Sequence, residues 1–116
     1  QTNHEAYHLM GKAKLYEKDT IGAIESYNKS IELKPDFVLA YNNRAMVKYS
    51  QKDYEGAKTD YSKVIELKPT DAQTYFFRAI VEIALKLKDD ACADFNKAKE
   101  LGNAKADEMI TKYCKE

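Results

Sequence analysis

The sequence predicts an all-α solenoid of seven helices, built as three helix-turn-helix hairpins and one closing helix. Tyr7, Tyr41 and Tyr75 stand 34 residues apart, and Ala23, Ala57 and Ala91, like Tyr27, Tyr61 and Phe95, keep the same step. Within each unit the apolar residues recur at helical spacing, as Tyr41, Ala45 and Tyr49 and then Tyr54, Ala57, Tyr61, Val64 and Ile65, rather than alternating as in a strand. The units also share their ends: Glu32-Leu33-Lys34-Pro35 returns as Glu66-Leu67-Lys68-Pro69, and Glu100-Leu101 begins a third copy that Gly102 and Asn103 break. A fixed period of this size marks stacked units, none of which can bury its apolar face alone. Such stacks usually present surfaces and seldom perform chemistry.

The spacing predicts helices over 4–17, 20–33, 37–51, 54–67, 71–86, 89–101 and 104–115. Between the helices of a hairpin lies a short polar turn, Glu17-Lys18-Asp19 and then Gln51-Lys52-Asp53, whose aspartate can accept from the free amides opening the next helix. Pro35 and Pro69 end the second helices, because proline disfavours helical geometry in the residue before it and has no N–H to donate. Asp36, or Thr70 and Asp71, are then expected to cap the next start. The last segment carries Ala106, Met109, Ile110 and Tyr113 at three- and four-residue steps and reads as a helix covering the face that a fourth repeat would cover. The expected organisation is one domain, 1–116, with repeats at 4–37, 38–71 and 72–103 and a capping helix at 104–116.

At 116 residues and 44% apolar composition the chain can build one narrow, continuous core. Nineteen basic and nineteen acidic residues cancel, so no net field draws in nucleic acid or an anionic membrane. Apolar runs such as Ala79-Ile80-Val81 fall far short of the roughly 18 to 20 residues that cross a bilayer, and no membrane insertion is expected. The chain begins at Gln1, which suggests an excised fragment or a processed chain.

No catalytic or cofactor pattern stands out. His4 and His8 have the spacing of two metal ligands on one helix face, but two ligands do not make a site, and solvated histidines are the expectation. Gly11, Gly22, Gly56 and Gly102 are scattered, so there is no phosphate loop. Ser26, Ser30, Ser50 and Ser62 lie on helices without a histidine at compatible spacing. Cys92 and Cys114 are nearly equidistant from the Gly102-Asn103 turn, which places them side by side in an antiparallel helix pair. Either they form a disulfide, closing a loop worth on the order of 3 kcal/mol, or they are two small buried thiols at the seam. Compartment decides between the two, and a bond would imply export; otherwise the chain is cytoplasmic.

These residues resemble the tetratricopeptide repeat, whose pattern is a bulky aromatic, a small residue four later, an alanine twelve after that, an aromatic four further on and a proline eight beyond. Tyr7, Gly11, Ala23, Tyr27 and Pro35 match in the first unit and Tyr41, Ala45, Ala57, Tyr61 and Pro69 in the second. The third supplies Tyr75, Ala79, Ala91 and Phe95 but has Asn103 in place of proline. The segment from Ala91 through Phe95 to Tyr113 and Cys114 also looks like the C-terminal ends of such proteins in Bacteroidetes-type bacteria. The resemblance implies a right-handed solenoid whose first helices line a concave groove that takes an extended peptide or a helix.

Carried over by register, the groove residues are His8, Leu9, Lys12, Asn42, Asn43, Met46, Gln73, Phe76, Phe77 and Ile80. An asparagine amide can hold a peptide backbone without selecting side chains, and an exposed phenylalanine beside Met46 and Ile80 would form an apolar anchor pocket. Phe76 and Phe77 are about 100° apart around the helix and cannot both point inward. One subset of the family grips a chain-terminal carboxylate with lysine, two asparagines, lysine and arginine. The matching positions here are His8, Lys12, Asn43, Gln73 and Phe77, and only Asn43 fits, so such a clamp is not expected. The leading expectation is a non-enzymatic protein-binding scaffold. The alternative is self-association through residues 4–17, where Leu9, Met10 and Leu15 lie on a helix with no capping helix before it.

Overall fold

A computed structural model describes residues 2–115; Gln1 and Glu116, the ends of the expected 1–116 domain, lie outside the described residues. Among these there are seven helices and no strand: α1 Asn3–Tyr16, α2 Thr20–Leu33, α3 Val38–Ser50, α4 Tyr54–Leu67, α5 Ala72–Ala84, α6 Lys88–Glu100 and α7 Ala106–Tyr113. Each helix packs mainly on its neighbours in the chain, giving an elongated all-α stack of 47 × 25 × 20 Å. The core follows the 34-residue register: Ala23, Ala57 and Ala91 are fully buried, with Tyr27, Tyr61 and Phe95 beside them. In the first hairpin a Cβ at Gly11 would lie 2.5 Å from the Tyr27 ring, so only glycine allows that approach.

Turn chemistry separates the two kinds of connection. Within each hairpin the chain reverses through a lysine in the left-handed region, at Lys18, Lys52 and Lys86 with φ of 63°, 64° and 63°. The amides of Lys18 and Asp19 donate to the carbonyls of Leu15 and Lys14, and the same pair of bonds recurs at Lys52-Asp53 and Lys86-Leu87, as a Schellman turn requires. Asp19 and Asp53 then cap α2 and α4, accepting from Gly22 and Gly56. Between hairpins, Lys34 is instead extended before Pro35, and Lys68 before Pro69 has φ −139° and ψ 77°.

The predicted caps hold only in part. Asp71 accepts from the amide of Gln73 and caps α5, whereas Asp36 does not cap α3. Its carboxylate pairs with Lys34 at 3.2 Å, and Phe37 takes the cap position without a side-chain bond. At the end of the third repeat Gly102, with φ 103°, makes the hairpin type of turn, Asn103 N–H donating to Ala98 O. Because Asn103 Oδ1 also accepts from Lys105 N–H, residues 104 and 105 belong to the turn, and α7 is shorter than the expected 104–115. It packs Met109, Ile110 and Tyr113 against the buried cluster of Ala79, Ala91 and Phe95, and a Cys92–Cys114 disulfide ties it to α6 across a Cα separation of 5.7 Å.

Two buried ion pairs tie the stack together. Arg44 on α3 donates through Nε and Nη2 to both oxygens of Asp60 on α4, at 2.9 and 2.7 Å, and through Nη1 to Asn28 on α2 at 2.8 Å. One repeat later Arg78 makes the same bidentate bond to Asp94, at 2.7 and 2.8 Å, and reaches Ser62. Each guanidinium therefore clips its own hairpin to the one before. The first repeat holds Met10 and Ser26 at these two positions, so the pair is dispensable when both charges are absent. Breaking one side is different, because the remaining charge is left in the interior. Asp60→Ala, at a carboxylate only 2% exposed, is expected to cost about 3 kcal/mol in urea denaturation. The double change Arg44→Met with Asp60→Leu should recover most of that loss.

Candidate functional site

The face formed by α3 and α5 carries a run of three adjoining depressions. The first, of ≈ 270 Å³, is lined by Met46, Tyr49, Tyr61, Phe76, Phe77, Ile80 and Val81 and is almost wholly apolar. The second, of ≈ 250 Å³, adds Leu39, Asn42, Asn43, Asp71, Gln73 and Thr74. The third, of ≈ 220 Å³, runs from Gln73, Phe76 and Phe77 to the Asn103-Ala104-Lys105 turn. Phe77 borders all three and is 40% exposed. A larger depression of ≈ 410 Å³ is walled by the single continuous segment 86–90, the α5–α6 turn and the start of α6.

Helix geometry accounts for this wall. Phe76 and Phe77 diverge around α5: Phe76 is half-buried and edge-on to Phe95 at 5.7 Å, while Phe77 stacks against Tyr61 at 6.0 Å with its outer side in solvent. Met46, 56% exposed, forms the opposite rim on α3. The Tyr61 phenol at the floor has its pKa pushed up to about 12 by burial and by neighbouring Asp60, so it stays neutral and the first depression holds no charge of its own.

Seven of the ten residues carried over by register line these depressions: Asn42, Asn43, Met46, Gln73, Phe76, Phe77 and Ile80. Leu9 and Lys12 are exposed on α1 but line none of the three. His8 is a correction, being a 7% exposed core residue instead of a groove or solvated one. The Asn43 amide donates to its Nε2 at 2.6 Å, and its ring packs at 5.4 Å from Phe37 and 5.8 Å from Tyr27. Burial and the nearby Lys12 charge hold the His8 pKa below its ordinary value, consistent with a neutral ring that accepts from Asn43. His4 is likewise packed, edge-on to Phe37 at 4.7 Å, and Ser30 donates to its carbonyl at 2.7 Å. A Thr2–Glu5 capping box closes this helix end.

Sequence reasoning missed Tyr61 and Val81, which the register places in the core and which here also floor the first depression. It missed the Asn103-Lys105 edge as well, although the loss of proline at position 103 was the available signal. The two arginine–aspartate pairs were visible as Arg44/Arg78 and Asp60/Asp94, each 34 residues apart.

Residues 4–37 and 38–71 each match the profile of the tetratricopeptide repeat, together more than half of the chain, which therefore belongs to the tetratricopeptide-repeat family. No curated protein sequence matches the chain. Among solved structures it is similar to the first TPR domain of Spaghetti (RPAP3) bound to the HSP90 peptide SRMEEVD, at 21% identity and TM-score 0.88, covering 97% of this chain and 90% of that one. It is similar to the TPR2B domain of yeast Sti1 in complex with pHsp70, at 24% identity and TM-score 0.84, covering 98% and 95%. A third similar structure is MamA, at 28% identity and TM-score 0.81, where the match covers 97% of this chain but 58% of that one.

Proposed function

We propose that this chain is a non-enzymatic protein-interaction scaffold that takes an internal peptide or helix segment along the α3–α5 face, with a large apolar side chain anchored beside Phe77. The carrying observation is the chemistry of that face: an uncharged apolar hollow bordered by amides of Asn42 and Gln73. Similar folds that hold HSP90 and Hsp70 partners support the class of function. The same positions argue against a carboxylate clamp. His8 is buried, the Asn43 amide is engaged by His8, and Gln73 and Phe77 supply no cation, so a terminal carboxylate would lack the paired charges it needs.

Selection from a displayed library of internal and C-terminal peptides tests this reading. Enriched sequences are expected to carry one large apolar residue and to bind without a free C-terminus. Phe77→Ala or Met46→Ala should weaken them by about 1–2 kcal/mol, on the order of tenfold, with Asn42→Ala reducing affinity less. A consensus that requires the terminal carboxylate, or affinities indifferent to Phe77, would overturn it.

A second reading, self-association through residues 4–17, draws on the exposure of Leu9 and Met10; Leu15 is packed against the Ala23–Tyr27 cluster and is not available. Light scattering across a concentration range should show a mass rising above 13.3 kDa if this holds, and a constant monomer mass removes it. The disulfide together with the C-terminal resemblance favours an exported bacterial protein. Thiol titration of unreduced protein from its native host should then find no free thiol among the two cysteines, and two free thiols would defeat that assignment.

A further inference from the structure

The third hairpin departs from the second at one buried charge. In the second hairpin Lys48 lies one turn after Arg44 and puts its ammonium 3.4 Å from Asp60, so the buried aspartate has two cations around it. Thirty-four residues on, the equivalent of Lys48 is Glu82. Its carboxyl is 3% exposed, Oε2 is 3.9 Å from Arg78 Nε, and buried Oε1 has no hydrogen-bond partner. Arg78 is already committed through Nε and Nη2 to Asp94. Two carboxyl groups thus share one guanidinium, and both acidic side chains are nearly closed to solvent. The charged groups facing Glu82 are Arg78 from its own helix, Asp94 from α6 and Lys58 from α4.

We propose that Glu82 is a proton-dependent joint: protonated, it lets α5 sit closed between α4 and α6, and on ionisation it loosens the third hairpin from the second. A neutral carboxyl can donate to Asp94 and leaves the cluster with one balanced pair. An ionised one adds an uncompensated negative charge beside Asp94, which burial makes costly. Burial first, then the hydrogen bond to and repulsion by Asp94, raise the Glu82 pKa to about 8, while Arg78 and Lys58 oppose the shift. The folded chain therefore holds a proton that the unfolded chain, with an ordinary value of 4.5, releases. The resulting stability is complete below about pH 4.5 and is lost progressively as pH rises to about 8, beyond which it is flat. Because Phe76, Phe77 and Ile80 ride on the same helix, the joint also sets how firmly the groove wall is held, but the inference does not depend on any ligand.

Urea unfolding of the whole chain between pH 6.5 and 9 tests it, with the difference between the native chain and Glu82→Gln cancelling the contribution of His8, whose lowered pKa leaves the unfolded chain binding the extra proton near 6.5. The unfolding constant of the native chain relative to that of Glu82→Gln is expected to rise about tenfold per pH unit between 6.5 and 7.5 and to level off above about pH 8. Glu82→Gln should lack the loss of stability above pH 6.5, and Glu82→Lys, which restores the arrangement of the second hairpin, should lack it too and be more stable. Equal slopes in the native and substituted chains would overturn the joint. A carboxyl-carbon NMR titration of the native chain reads the same group without any substitution: a Glu82 midpoint near 8 supports the proposal and one near 4.5 refutes it.

Discussion

Close approach of paired helices is the constraint from which the other features of this stack follow. At Ala23, Ala45, Ala57, Ala79 and Ala91 nothing of the side chain reaches solvent, and at Gly11 even a methyl group would run into the Tyr27 ring. Small residues at the crossings draw the backbones together, and the aromatic residues at the next register fill the space above and below. Water is thereby excluded, so every polar group that enters the interior must bring its own partner. The Arg44–Asp60 and Arg78–Asp94 pairs meet that condition with matched, two-pronged geometry. Glu82 does not meet it while ionised.

The repeats are alike in packing and unlike in polarity, and that difference gives the array a direction. The first hairpin has Met10 and Ser26 in place of the arginine–aspartate pair, the second has the pair with an added lysine, and the third has the pair with an added acid. The turns carry direction too. Lysine-based reversals stay within hairpins and proline-based extensions separate them, until Gly102 installs a reversal where a proline belongs. That change folds α7 back on α6, where the disulfide and the contacts of Met109, Ile110 and Tyr113 hold it. Phe76 and Ile80 pack against the same buried residues as α7, so cap and groove wall share one cluster.

The proposed partner surface is a by-product of this packing. A helix committed on one side to α4 and α6 leaves its other side free, and on α5 that side holds Phe77 beside a half-buried Phe76. The hollow is therefore apolar because it is an opening in the seam between two repeats. Its amides come from helix positions just outside the seam. An apolar anchor with backbone contacts on either side is what such a surface accommodates, and the charge pattern needed for a terminal carboxylate is not there.

The 34-residue register, the helical spacing and the turn residues together determined the seven helices, their pairing and the cap, because they depend on backbone preferences and on which face of a helix is apolar. Even the nearness of Cys92 and Cys114 followed from their equal distance to the Gly102 turn. What register could not supply was depth. His8 falls on a nominal groove position, yet Phe37 at the α3 cap and Asn43 on α3 cover it. Tyr61 falls on a core position, yet its ring floors the exposed hollow. Glu82 was legible as a lysine replaced by an acid, but only the tertiary structure buried that carboxyl beside Arg78 and Asp94. A residue's face is set by its own helix, whereas its burial and charge state are set by the size and polarity of residues far away in sequence, and these meet it only when the repeats stack.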